Sequence, residues 1–199
     1  MAVTRERFNS GLTYDEYKAQ MNRNREEFTA NERRVAIKPE DLAAFRGLPR
    51  PLHVLVLAED WCGDVVANLP ILGRLATESD KLDLRVFLRD QNLDIMDQYL
   101  NQGRYRSIPV FVFFDDRFDE IGRFVERPKL VTEERAKRRE EIFRQHPEFG
   151  SPDAPIDQLP EDVRVRLMQA MSEMRGEMAA FANAEVIREL RAIVERVKE

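Results

Sequence analysis

Cysteine is almost missing. Cys62 is the only one among 199 residues, so no disulfide can close within the chain, and no pair of thiols can cycle between reduced and oxidised forms. Histidine is nearly as scarce, with two residues. No Cys/His cluster has metal-ligand spacing, so no metal site is expected. The eight glycines build no phosphate-cradling loop. The longest apolar runs, such as Val54 to Ala58, are far too short to cross a bilayer. The start, Met1-Ala-Val-Thr-Arg-Glu-Arg7, lacks the apolar stretch of a signal peptide. Neither sign of charge gathers into a block: 32 Lys and Arg are mixed with 37 Asp and Glu, for a net charge of −5. That excludes a basic nucleic-acid arm or a membrane-binding patch. Together these absences predict no cofactor, no nucleic-acid or membrane partner, and a reducing, cytoplasmic setting.

What is present suits a globular protein. Apolar residues make up 43% and charged residues 35%, and a chain of this length buries roughly 70% of its unfolded surface. Thr13 and Glu16 have capping-box spacing ahead of a sparse apolar face, which predicts a helix over 13–30. Pro39 and Gly47 bracket a short helix at 40–46. Leu52–Ala58 reads as a buried strand. A helix over 63–77 follows, with Val65, Val66, Leu69, Leu72 and Ala76 on one face. Leu82–Leu88 alternates as a second strand. Asp90 or Asn92 can cap a helix over 93–101, and Gly103 can stop it. Pro109–Phe114 is a third strand, Asp115-Asp116 a turn, and Glu120–Val125 a fourth strand. A charged helix at 131–145, a proline-rich linker at 146–160, and helices at 161–181 and 184–198 complete the chain, with Asn183 as a cap between the last two.

The expected fold is therefore α/β: a four-stranded mixed β-sheet flanked by helices. Residues 50–128 form the core. Residues 1–49 are an N-terminal helical extension, and residues 129–199 a C-terminal helical extension packed on the core, since about 70 residues with a long linker make a marginal core alone.

A buried strand runs into Glu59-Asp60-Trp61-Cys62-Gly63-Asp64 and then a helix. Cys62 falls at the helix start, where unpaired N–H groups and the positive dipole end favour a thiolate. Gly63 would let the chain turn closely around the sulfur. Trp61-Cys62-Gly63 resembles the opening of the W-C-G-P-C motif of the thioredoxin family. Pro70 lies inside the helix eight residues past the cysteine, and Ser107-Ile108-Pro109 precedes the third strand, where that family places a cis-proline loop. With Asp64, Arg89–Asp97 and Glu126-Arg127-Pro128, the sequence is similar to a bacterial thioredoxin-like branch that carries W-C-G-D.

The resemblance implies a thioredoxin-like fold with Cys62 as nucleophile, Trp61, Gly63 and Asp64 shaping the site, and Ile108 and Pro109 orienting a substrate. The implied partner is a protein disulfide or a small-thiol disulfide. Two positions depart from the family: Val65 stands where the resolving cysteine belongs, and Val56 where a buried acid is usual. The expected chemistry is thus one-thiol exchange that stops at a mixed disulfide. The alternatives are a binding module that keeps the fold without the chemistry, and a structural or dimerising protein using the C-terminal helices. Local charge does not decide between them. One carboxylate about 6 Å from the sulfur, at an effective dielectric near 40, opposes a thiolate by roughly 1.4 kcal/mol, against about 0.3–1 kcal/mol gained from the helix start. Asp64 also reads as a first-turn helix stabiliser. His53 and His146 read as surface or packing residues. Leu167, Met168, Met171, Met174 and Met178 form a helical stripe expected to pack in a core.

Overall fold

Every residue of β1 (Leu52–Ala58) except His53 is buried. The strand has partners on both sides, in a computed structural model that describes residues 3–198. β2 (Leu82–Leu88) runs parallel to it, with Val56 opposite Val86. β3 (Val110–Phe114) runs antiparallel, with Val56 opposite Phe111, and β4 (Glu120–Val125) pairs antiparallel with β3. The order is β2-β1-β3-β4. A strand that is covered on both faces and paired at both edges must be apolar throughout, which is why β1 shows no alternation. The outer edge of β2 is partly closed by Leu12, which exchanges two backbone hydrogen bonds with Val86, at 2.9 and 2.7 Å. This mixed four-stranded sheet with flanking helices is the α/β architecture expected from the sequence.

The helix that follows β1, α5 (Gly63–Ser79), presents Val65, Val66, Leu69, Leu72 and Leu75 to the core. Pro70 lies within it and has no N–H to offer the carbonyl four residues back, that of Val66. Asn31, on α3 (Arg25–Arg34), supplies the missing donor: its Nδ2 donates to Val66 O at 3.0 Å. Further along α5, Gly73 allows a close approach by α2 (Tyr14–Gln20). A Cβ at residue 73 would stand 2.3–2.7 Å from the Tyr14 ring and hydroxyl, and that hydroxyl is held by Glu32 at 2.7 Å.

Several expected boundaries move, each for a tertiary reason. The helix expected over 13–30 is broken into α2 and α3. The break comes at Met21–Asn24, where the amides of Asn22 and Arg23 donate to the Asp60 carboxylate at 2.7 and 2.9 Å and Asn24 takes a left-handed conformation. Those bonds replace the helical ones. The helix expected over 93–101 shrinks to α6 (Leu93–Met96) after a 3-10 turn at Arg89–Gln91, because Asp97 is engaged by Arg106 and Asn101 bridges to Tyr105. β3 starts at Val110 rather than 109, after a cis Ile108–Pro109 peptide bond. Short helices α1 (Arg5–Asn9) and α4 (Pro39–Arg46) complete the region before β1.

Backbone contacts divide the chain into two compact units. One comprises the described residues up to 127 together with those from 186 onward; the other is Pro128–Glu185. In the first, Val186, Ile187, Leu190, Ile193 and Val194 of α9 (Ala179–Val194) belong to the sheet's core cluster. The second holds α7 (Lys129–Gln145) and α8 (Glu161–Glu177), with a small cluster of Phe143, Phe149, Val163 and Leu167. Asn183 is not a cap, since α8 ends at Glu177 with Met178 as its C-cap and residue 183 lies inside α9. Of the methionine stripe, Met174 and Met178 are buried with Leu167, and Met171 is partly buried, but Met168 is 57% exposed and packs in no core. Among the described residues no helix is long and apolar enough to cross a membrane.

The pairing of Asn31 with the helical proline can be measured. Asn31→Ala should cost about 1 kcal/mol in denaturant unfolding, the usual net value of one hydrogen bond. The loss should shrink toward zero when Pro70→Ala restores the N–H. Equal losses in both backgrounds would mean that Asn31 does not serve the Val66 carbonyl.

Candidate functional site

Cys62 is the N-cap residue of α5, with extended backbone angles (φ −84°, ψ 118°), and its carbonyl accepts the Val66 N–H at 3.0 Å. The position follows from β1: the strand ends at Ala58, a tight turn brings the Cys62 N–H to Glu59 O at 3.2 Å, and the helix begins one residue later. The thiol is partly buried. It donates to Ile108 O at 3.5 Å, so the residue before Pro109 lies against the sulfur. Two opposed sets of groups therefore meet there. The Ile108 carbonyl accepts from the neutral thiol, while the Val65 and Asp64 backbone N–H groups favour the thiolate. Burial outweighs the amides and pushes the Cys62 thiol above its ordinary value. A smaller upward push comes from Asp64, and a downward pull from Arg89.

The acids around the cysteine are each engaged elsewhere. Buried Glu59 accepts the Asp90 N–H at 2.8 Å, and burial raises its carboxyl above the usual range. Asp60 takes the amides of Asn22 and Arg23, and its own carbonyl accepts from Asn24 Nδ2 at 2.9 Å. Asp64 is ion-paired with Arg127, both side chains being largely buried. Arg127 also reaches Glu126 at 2.8 Å. Glu126 in turn ties the end of β4 to the proline loop: its N–H donates to Pro109 O at 2.7 Å, its carbonyl accepts from buried Asn68 at 2.9 Å, and its carboxylate accepts from Asn101 at 3.0 Å.

Trp61 is 42% exposed at the rim, with the Arg89 guanidinium 4.9 Å from its ring centre. Val65 and Val56 are both fully buried. Behind the site lies Tyr17, 1% exposed, whose hydroxyl has no hydrogen-bond partner among the described residues. Burial raises its pKa, and the charges of Asp60, Glu59 and Cys62 push the same way. Among the described residues no group of three or more His, Cys, Asp and Glu side chains is placed to hold a metal ion.

The structure thus brings Trp61, Cys62, Gly63 and Asp64 to one helix start and sets Ile108 beside the sulfur. His53 sits away from this group, stacked on Phe118 at 4.7 Å and bonded to Asp83 at 3.2 Å. Sequence reasoning missed Arg89, Glu126 and Arg127 as individual contributors. Arg89 lies 28 positions from Trp61, Glu126 58 from Asn68 and Arg127 63 from Asp64, and no local spacing announces these pairings.

A family profile described as thioredoxin matches residues 11–139. No curated protein sequence matches the chain. Among solved structures, the 1.5 Å crystal structure of a protein of unknown function from Pseudomonas aeruginosa superposes with a TM-score of 0.69, at 20% identity over 98% of each chain. An HIV epitope scaffold gives 0.65, at 19% identity over 98% of each chain. At these identities the likeness is one of fold.

Gly63 was expected to permit a close turn around the sulfur, but its φ is not positive and a Cβ there would meet no atom within 4 Å. Neither strain nor contact demands glycine. Gly63→Ala should therefore leave the fold intact and stabilise it by roughly 0.4–1 kcal/mol through the unfolded state. Thermal unfolding checks this, and a clear loss of stability would mean that the helix start needs a freer backbone.

Proposed function

Because the chain belongs to the thioredoxin family, we propose that it carries out one-thiol disulfide exchange through Cys62, on a protein disulfide or a disulfide of a small thiol. The observation that supports this best is the placement of the sulfur at the start of α5, between the Ile108 carbonyl and the Asp64 and Val65 amides. Deprotonated Cys62 attacks one sulfur of the substrate disulfide. A Cys62–substrate S–S bond forms, the substrate S–S bond breaks, and the departing thiolate takes up a proton. Val65 occupies the resolving position and the chain has no second cysteine, so a free thiol from solution must release the adduct. A reducing cytoplasm would supply one. Trp61, Gly63 and Asp64 frame the sulfur in this reading, with Ile108 and Pro109 as the wall against which a substrate backbone lies, and W-C-G-D is the feature that supports a kinship with the bacterial branch it resembles.

A second reading, a thioredoxin-fold binding module without chemistry, draws support from the burial that raises the Cys62 thiol. A thiol protonated at neutral pH is a poor nucleophile.

Intact mass separates the two. Incubation of the native protein with an oxidised small thiol should add one thiol mass, slowly, and excess free thiol should remove it. The Cys62→Ser variant should add none. Modification that occurs only after unfolding would favour the binding module. Sustained dithiol-type turnover would contradict the one-thiol mechanism.

A further inference from the structure

Arg89 is engaged four ways at the edge of the site. Its guanidinium lies 4.9 Å from the ring centre of Trp61, and Trp61 is the chain's one tryptophan. Its Nη1 donates to Arg106 O at 3.1 Å, two residues before Ile108. Its Nε donates to Asp90 Oδ1 at 2.8 Å, and Asp90 is the residue whose amide holds Glu59. Its positive charge also favours the Cys62 thiolate. The side chain is only 20% exposed, so these contacts fix it rather than leave it in solvent. A guanidinium suits the task because its planar fork can stack on a ring and donate at its edge together.

We propose that Arg89 is a positioning residue for exchange at Cys62: it fastens Trp61 to the segment leading into Ile108, and so holds its guanidinium between the two segments that flank the sulfur. The inference rests on the exchange reading above. The ionisable groups that act on Cys62 are Asp64 on α5, which opposes the thiolate and is paired with Arg127, and Arg89 from the turn after β2; the Cys62 charge in turn acts on Tyr17 of α2. Tyr17 stays neutral over the range in which a thiol titrates, because burial raises its pKa.

The test titrates the thiolate by its ultraviolet absorbance in wild type, Arg89→Gln and Arg89→Met, each corrected with the matching Cys62→Ser chain. This readout needs no disulfide chemistry, so it can fail or succeed separately from the adduct experiment. Removing the charge, which is partly offset by its pairing with Asp90, should lower the thiolate fraction at a given pH by up to about threefold. The more conservative Arg89→Gln keeps a donor for the Arg106 carbonyl, and serves if Arg89→Met does not fold. Arg89→Lys should keep the titration close to wild type, yet raise collisional quenching of Trp61 fluorescence, because an ammonium does not cover the ring. An unchanged titration in folded Arg89→Gln, or Trp61 equally quenched in wild type and Arg89→Lys, would overturn the proposal. A purely structural Arg89 would shift stability without moving the thiol.

Discussion

Burial of β1 between β2 and β3 is the constraint from which the site follows. The parallel pairing with β2 and the antiparallel pairing with β3 leave no edge free and no face wet. The strand must therefore shed its polar residues at its end, and that end is where Glu59-Asp60-Trp61-Cys62 begins. Since β3 runs antiparallel to β1, its first residues lie beside β1's last, with Leu57 opposite Val110. Ile108 is two residues further back, which is how its carbonyl comes within 3.5 Å of the Cys62 sulfur. The sulfur's distant neighbour, Ile108, is thus set by strand register, while the Asp64 and Val65 amides come from the local helix start.

The acidic look of Glu-Asp-Trp-Cys-Gly-Asp misleads for a related reason. Three carboxylates within three residues of a thiol would be expected to suppress its ionisation by Coulomb repulsion. In the fold each is committed to another job: Glu59 to the turn after β2, Asp60 to the break between α2 and α3, and Asp64 to Arg127. The larger influence on the thiol is desolvation. It disfavours the charged form whatever the signs of the neighbours.

Legibility in the sequence tracked locality. β1, β2 and β4 carried their own patterns in apolar runs, alternation and turn residues, and the helix start at residue 63 followed from the strand before it. Pro70 and the Ile-Pro step were visible as residues, but what they do was not. Asn31, which answers the amide missing at Pro70, lies 39 positions away. The break at Met21–Asn24 was hidden for the same reason: Thr13 and Glu16 do form the expected capping box, and only the distant Asp60 ends that helix early. Met168 shows the opposite error, since a stripe at helical spacing reveals periodicity without revealing which of its members finds a neighbour.

The central claim is that a partly buried Cys62, held between the Ile108 carbonyl and two helix-start amides, is a thiol whose burial outweighs its activation. The most direct measurement is the Cys62 ionisation in the native protein compared with the unfolded chain, with Cys62→Ser as the blank. The native thiol should titrate above the unfolded one. Native stability should then fall as pH rises past the ordinary thiol range, because the unfolded chain ionises first, and Cys62→Ser should lack that fall. A native thiol that titrates below the unfolded one, with stability gained as pH rises, would contradict the account and show that the start of α5 activates this cysteine after all.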